Sequence, residues 1–329
     1  MDSAWLLIAL QLIAGFALLA KSADWLVDGG VVVARHVGVG MIVIGLTVIA
    51  WGTSAPELYV SGSAAWKGSP QMSLGNVLGS NVANIGLVLG ACAAVLPAVM
   101  ERAMRPREMF WLFVSFGSLW FVCLDSAITQ VEGGALLGVF AAHNVHLWFT
   151  AREASALDDP GEDAPPAKTL WGSVVLVLMA LVGIGFGGHF VLAGAQSGAA
   201  LLGMPDHVVS IVVLGVGTSL PELAAGLGGA VKGESDISLG NVVGSNVFNV
   251  LAVMGTVSVL SPLVPETPDD PLASAFADAL AVDFWVVLAF SVAAAVLPWL
   301  PKGGRVKGVL LLAGFVAYVA VRLAAASEA

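Results

Sequence analysis

The sequence has very little charge for its length. Of its 329 residues, 11% are Asp, Glu, Lys or Arg, whereas soluble globular proteins have about 25%. The charged residues gather in short intervals between long apolar runs, and 58% of the chain is hydrophobic. Because a run of about 20 apolar residues spans the hydrocarbon core of a bilayer as a helix, the composition predicts a protein that is mostly embedded in lipid.

The sequence also lacks an excess of basic residues, a cysteine framework and the motifs of common hydrolases. Its net charge of −10 argues against a nucleic-acid partner, which requires a basic face. Cys92 and Cys123 both lie in apolar runs, so they predict neither a disulfide framework nor a metal cluster. No GxSxG or HExxH motif is present, and we therefore expect no enzyme and no cofactor.

Apolar windows predict an all-α polytopic membrane protein with ten transmembrane helices. The windows fall at about 4–35, 39–66, 72–98, 108–125, 131–151, 169–202, 206–231, 237–261, 281–300 and 306–325. Residues 152–168 are rich in proline and acid, which predicts a flexible cytoplasmic linker. The chain thus divides into a first five-helix half, 1–151, and a second five-helix half, 169–329.

The distribution of basic residues predicts the orientation in the membrane. If the N-terminus is outside, only Lys67 and Arg322 lie at the outer face. The bases at the inner face are then Arg35, Arg102, Arg105, Arg107, Arg152, Lys168, Lys232, Lys302, Arg305 and Lys307. Because cytoplasmic loops carry the excess of Lys and Arg, we expect a multi-pass protein of the inner cell membrane with both termini outside.

Two polar blocks of sequence occur twice. GTSAPEL at 52–58 recurs as GTSLPEL at 217–223, and GNVLGSNVAN at 75–84 recurs as GNVVGSNVFN at 240–249. Both pairs are separated by the same 165 residues, which indicates a duplication. Since each half has an odd number of predicted spans, the second half enters the membrane from the opposite side. Such inverted repeats place the binding site near the midplane of the bilayer, at the interface of the repeats.

Glu57 and Glu222, at matching positions of the two repeats, are the strongest functional signal. A charge at the bilayer centre costs at least about 2.5 kcal/mol, and neither block contains a Lys or Arg. Each glutamate follows a helix-breaking proline, so it lies early in a half-helix, where the helix dipole favours a carboxylate. A transported cation as counter-ion is the interpretation we prefer over two protonated, hydrogen-bonded acids.

Neutral oxygen donors accompany the two acids. Hydroxyl groups follow each glycine of the first block, and serine–asparagine pairs lie one helical turn apart in the second block; these residues are Thr53, Ser54, Ser80, Asn84, Thr218, Ser219, Ser245 and Asn249. Calcium takes about 6–8 oxygen ligands, and sodium accepts the same donors. Transition metals prefer His or Cys, which both blocks lack.

The remaining repeated residues favour packing over ion binding. The glycine pairs Gly75 with Gly79 and Gly240 with Gly244 have the spacing of close helix contacts. Four asparagines, Asn76, Asn81, Asn241 and Asn246, are interpreted as interhelical contacts, with a ligand role as the alternative. Outside the blocks, Lys21 is expected to snorkel or to pair with Asp24 or Asp28.

These motifs resemble the two α-repeats of the sodium/calcium exchanger branch of the calcium:cation antiporter superfamily. The resemblance implies an antiporter that exchanges Ca²⁺ for Na⁺ by alternating access, with the first and sixth spans sliding past the rest. It implies ligands from both repeats, namely Thr53, Ser54, Glu57, Ser80, Asn84, Thr218, Ser219, Glu222, Ser245 and Asn249, together with the carbonyl groups of Ala50 and Gly215. Some archaeal and potassium-dependent relatives have Asp where this chain has Asn249, which leaves stoichiometry and potassium dependence open.

Two other functions remain open at this point. A Ca²⁺/H⁺ antiporter of the same fold would need the same two glutamates, and a cation channel is a more distant alternative. The expected partners are Ca²⁺ and Na⁺, with H⁺ and K⁺ open as coupling ions, and the lipid bilayer around a monomer.

Overall fold

The computed structural model describes residues 2–101, 104, 106–155, 169–202, 215–301 and 303–328, and these residues are almost entirely helical. The principal helices are α1 (Asp2–Val37), α2 (Met41–Thr53), α3 (Ala55–Trp66), α4 (Pro70–Val95), α5 (Pro106–Val122), α6 (Gln130–Ser155), α7 (Leu170–Leu201), α8 (Leu220–Val231), α9 (Ser235–Leu260), α10 (Pro271–Trp299) and α11 (Gly304–Glu328). Within the described ranges, the sole β pairing is an isolated bridge between Ile128 and Leu263. The predicted all-helical membrane fold is therefore confirmed.

Six of the described helices are long and apolar enough to cross a membrane, namely α1, α4, α7, α9, α10 and α11. The bent pair of α2 and α3 makes a seventh candidate span. The seventh window of the sequence, 206–231, lies partly outside the described residues, as do residues 156–168 of the predicted linker. The structure thus supports several membrane-spanning helices and leaves the count of ten as a prediction.

The ninth predicted span begins earlier than the sequence indicated. Hydropathy placed its start near residue 281, but α10 begins at Pro271. The carboxylate of Asp270 accepts a hydrogen bond of 2.8 Å from the Leu272 amide, which caps the first turn, and Pro271 suits the first helical position. The predicted start was wrong because capping, which hydropathy does not register, extends the helix through polar residues, including Asp278 and Asp283.

The helices of the two repeats match closely. Ala55 and Leu220 begin α3 and α8, Trp66 and Val231 end them, and both pairs are separated by 165 residues. The first helices of the two halves, α1 and α7, pack against each other in opposite directions. A Cβ atom on Gly15, early in α1, would lie 2.9 Å from the Gly187 carbonyl, and one on Gly29 would lie 3.0 Å from the Ser173 carbonyl.

The polar repeat helices α4 and α9 lie inside the bundle. Their most apolar windows are 78% and 83% buried, against 28% for α1 and 17% for α11. In α9, Gly240 and Gly244 contact the backbone of α2, as predicted from their spacing. A Cβ atom on Gly75 or Gly79 would meet no atom of the described residues within 4 Å, so the close contact is seen only in the second copy.

Candidate ion-binding site

The two prolines interrupt their helices at the same place in each repeat. Helix α2 ends at Thr53, Ser54 leaves the helical conformation with ψ near 7°, and α3 restarts at a 41° bend. In the second repeat, a one-turn helix Gly215–Gly217 is followed by Ser219, with ψ near 3°, and then by α8. Each break places the hydroxyl-bearing residues and the glutamate around a helix N-terminus.

Both glutamates are fully buried next to these breaks. Glu57 lies in the first turn of α3 and Glu222 in the first turn of α8, each with no exposed surface. The two carboxyl groups are close enough to interact electrostatically. The sequence predicted that inverted repeats bring these acids together, and the structure places them in one region of the bundle.

The two carboxyl groups have different hydrogen-bond partners. Oε1 of Glu222 accepts a 2.7 Å hydrogen bond from Ser54 Oγ of the other repeat, and Ser245 Oγ lies 3.5 Å from the same oxygen. Both oxygens of Glu57 lack a hydrogen-bond donor among the described residues, and so does Oε2 of Glu222. Ser219, which matches Ser54, makes no equivalent hydrogen bond to Glu57. The pseudo-symmetric site is therefore asymmetric in this conformation.

Serine and asparagine side chains of α4 and α9 meet across the repeats. Asn249 donates a hydrogen bond of 3.1 Å to Ser80 Oγ, and Asn84 donates one of 3.4 Å to Asn246 Oδ1. The amide oxygens of Asn84 and Asn249 have no hydrogen-bond donor within the described part of the chain. Helix α4 thus faces α9 through the residues that the sequence selected.

Six buried oxygen atoms of the predicted ligands have no hydrogen-bond partner among the described residues. They are both carboxyl oxygens of Glu57, Oε2 of Glu222, Oγ of Ser219, and the amide oxygens of Asn84 and Asn249. A buried polar atom without a partner costs free energy, about 1–3 kcal/mol each. These atoms form an all-oxygen donor set of the kind that binds hard cations such as calcium and sodium.

No basic side chain among the described residues pairs with either glutamate. The ion pairs seen there join Arg107 to Glu108, Lys232 to Asp24 and Asp28, and Arg322 to Asp283. Those same residues contain no group of three or more His, Cys, Asp or Glu side chains that could hold a metal ion. The candidate site instead combines two carboxylates with neutral oxygens.

Nearly all predicted ligand residues are buried. Eleven of them have at most 2% of their surface exposed, namely Ala50, Thr53, Ser54, Glu57, Ser80, Asn84, Thr218, Ser219, Glu222, Ser245 and Asn249. The twelfth, Gly215, lies in the one-turn helix before the second break. The Ala50 carbonyl already accepts hydrogen bonds from Thr53 Oγ1, at 3.2 Å, and from the Ser54 amide, at 3.0 Å.

Two asparagines outside the predicted ligand set connect the repeats. Thr53 Oγ1 donates to Asn241 Oδ1 at 3.2 Å, and at the matching place Thr218 Oγ1 donates to Asn76 Oδ1 at 3.4 Å. Asn241 Nδ2 also donates to the Glu222 carbonyl at 3.1 Å. The preferred interpretation as interhelical contacts is confirmed for this pair. Sequence reasoning missed the link from Asn241 to the glutamate backbone, although the repetition of these asparagines signalled it.

We expect Asn241→Ala to weaken ion binding about tenfold, because two hydrogen bonds that orient Thr53 and the Glu222 turn are lost. The change should appear as a higher KM for calcium in uptake assays, with a smaller effect on the maximal rate. Asn81→Ala is the matched control, since the Asn81 amide bonds to its own helix at Val77 O. Equal KM values for the two variants would contradict this positioning role.

One expected ion pair is corrected. Lys21 was expected to snorkel or to pair with Asp24 or Asp28, but the base next to these acids is Lys232, whose Nζ lies 2.8 Å from Asp28 and 3.4 Å from Asp24. Lys21 lies over the ring of Trp25, 5.6 Å from its centroid. Pairing between distant helices could not be read from spacing within one helix.

Comparisons with known proteins agree with this geometry. The family model described as sodium/calcium exchanger protein matches residues 7–149 and 172–324. The protein CaxA of Alkalimonas amylolytica is 35% identical over 314 residues, covering 92% of this chain and 95% of CaxA. The sodium/calcium exchanger MaX1 of Methanosarcina acetivorans is 26% identical, covering 95% and 97%. A solved structure of the sodium-calcium exchanger NCX_Mj, soaked with Na⁺, superposes with a TM-score of 0.76 at 29% identity, covering 96% and 99%.

Proposed function

The chain belongs to the sodium/calcium exchanger family, and from that premise we propose that this membrane cation antiporter exchanges Ca²⁺ for Na⁺ by alternating access. The observation that carries the proposal is the pair of buried glutamates, Glu57 and Glu222, surrounded by neutral oxygens and without a basic partner among the described residues. Two carboxylates balance one Ca²⁺ in a site that lipid surrounds, and the same oxygens suit Na⁺.

The ligands in this proposal are the twelve residues predicted from the repeats. Glu57 and Glu222 supply the formal charge, and the hydroxyl, amide and carbonyl groups complete the shell. Because Asn249 is neutral, three Na⁺ ions on two carboxylates leave one positive charge to move with the carrier. Exchange of three Na⁺ for one Ca²⁺ is then electrogenic, and competition between the ions for one site couples their movements.

The proposed architecture has ten spans in two inverted repeats, with residues 152–168 as a cytoplasmic linker. The antiparallel packing of α1 and α7, the first helices of the two halves, supports the inversion. We propose that the protein is a monomer in the inner membrane with both termini outside, which rests on the distribution of Lys and Arg. The sliding of α1 and the first helix of the second half, α7, is the movement that the family resemblance implies.

A Ca²⁺/H⁺ antiporter is the second candidate, because protons can neutralise the same two carboxylates. The deciding measurement is uptake of ⁴⁵Ca²⁺ by vesicles that contain the purified protein. Vesicles loaded with sodium should take up calcium, whereas vesicles with only an acid interior should not. Added potassium tests for potassium dependence. Uptake driven by a proton gradient without sodium would refute sodium coupling, and unitary currents in a planar bilayer would identify a channel.

A further inference from the structure

An apolar groove lies on the side of α3 that faces away from the ion site. Its volume is about 450 Å³, and it is formed between α3 and the last turns of α9. Leu58, Gly62 and Trp66 contribute from α3, Val257 and Leu260 from α9, and Lys67 lies at its end. The Trp66 side chain is 82% exposed and Leu260 68% exposed, so the groove opens sideways toward the lipid.

The lysine of this groove differs from its counterpart in the second repeat. Lys67 and Lys232 are separated by the repeat offset of 165 residues. Lys232 binds the carboxylates of Asp24 and Asp28 on α1. The residues of α7 that match these acids are His189 and Ala193, and Lys67 forms no ion pair with any residue that the structure describes. The first repeat has thus kept the cation and lost the internal anion.

The groove itself is also specific to the first repeat. Gly62 matches Leu227 of α8, whose side chain packs against a buried cluster that includes Val88 and Leu89. A Cβ atom on Gly62 would meet no described atom within 4 Å. The absence of a side chain at Gly62 therefore leaves open space where the second repeat has a leucine.

We propose that this groove binds a membrane phospholipid, with one acyl chain between α3 and α9 and the phosphate at Lys67. Water in an apolar groove loses hydrogen bonds, whereas an acyl chain fills it without cost. The phosphate supplies the anion that Asp24 and Asp28 supply to Lys232, and the hydroxyls of Ser63 and Ser261, which also line the groove, can bond to a headgroup. The volume is within the range of ordinary ligand sites, about 300–1,000 Å³.

The bound lipid contacts the half-helix that carries a site acid. Leu58, in the groove, directly follows Glu57 in the chain. A lipid in this place supports the orientation of α3 from its outer side. The proposal does not depend on which ions are exchanged, because lipid binding is measured without ion gradients.

The test is native mass spectrometry of the purified protein titrated with palmitoyl-oleoyl phosphatidylglycerol. Gly62→Phe fills the groove and should remove the most tightly bound lipid. Lys67→Gln should weaken its binding about fivefold, since one basic residue near a phosphate contributes that much. Lys21→Gln is the matched control, because Lys21 lies on α1 outside the groove and should bind lipid like the unmodified protein.

Two outcomes would overturn the proposal. If Gly62→Phe binds phosphatidylglycerol as the unmodified protein does, the acyl chain does not lie in the groove. If Lys67→Gln and Lys21→Gln bind it equally, Lys67 only snorkels to the membrane surface and does not hold the phosphate. Circular dichroism and size-exclusion chromatography of Gly62→Phe establish that any loss of lipid comes from a folded protein.

Discussion

Glu57→Gln and Glu222→Gln should each reduce sodium-driven calcium uptake at least about 100-fold, because removing one charge of a buried ionic site costs about 3 kcal/mol or more. Glutamine keeps the size and one oxygen of glutamate, so the loss reports the charge. Glu57 should be the more sensitive position at low calcium. Its two oxygens lack a donor among the described residues, whereas Glu222 Oε1 also accepts a hydrogen bond from Ser54.

The matched control for both variants is Cys92→Ala. Cys92 is also fully buried in a repeat helix, but its sulfur packs against α8 near Gly226, outside the predicted ligand set. Uptake of ⁴⁵Ca²⁺ by sodium-loaded vesicles should stay near the unmodified rate for this variant. Full transport by either glutamine variant would refute the assignment of Glu57 and Glu222 as the ion-binding acids.

The sequence predicted the fold well where the signal is local or repeated. Apolar windows located the helices within a few residues for most of the chain, and the repeat offset predicted equal bounds for α3 and α8. Pairing between distant helices was not predictable, because spacing within one helix does not report which neighbour faces it. The pairing of Lys232 with Asp24 and Asp28 is the example, since these residues are about 200 positions apart.

For the candidate site, the duplicated motifs were informative because burial of an acid in lipid needs a reason that packing does not supply. They selected the residues that the structure buries in one region, but not their asymmetry. Ser54 and Ser219 are equivalent in sequence, yet only Ser54 donates to the glutamate of the other repeat. Two copies of one motif can take different conformations in a carrier that alternates between two states, so this difference lies beyond what a symmetric sequence pattern can predict.

Gly244→Ala should lower the apparent Tm of the detergent-solubilised protein by about 4–8 °C. Its Cβ atom would lie 2.6 Å from the Leu46 carbonyl oxygen and 2.7 Å from the Ala50 Cβ, so α2 and α9 must separate. Overpacking of this kind costs about 1–3 kcal/mol, and in a chain of this size each kcal/mol shifts the Tm by about 2–4 °C. Transport should fall as well, because the contact joins the helix of Thr53 to that of Ser245.

Gly138→Ala separates this clash from the general effect of replacing glycine in a helix. Gly138 is exposed in α6, and no described atom lies within 4 Å of a Cβ placed there. Alanine favours the helix by up to about 1 kcal/mol over glycine, so the control should be unchanged or slightly more stable. A Tm for Gly244→Ala equal to that of Gly138→Ala would mean that α2 and α9 are not in backbone contact. Because Ser245 follows Gly244 directly, the close packing that would bring the second-repeat oxygens to the site would then also be absent.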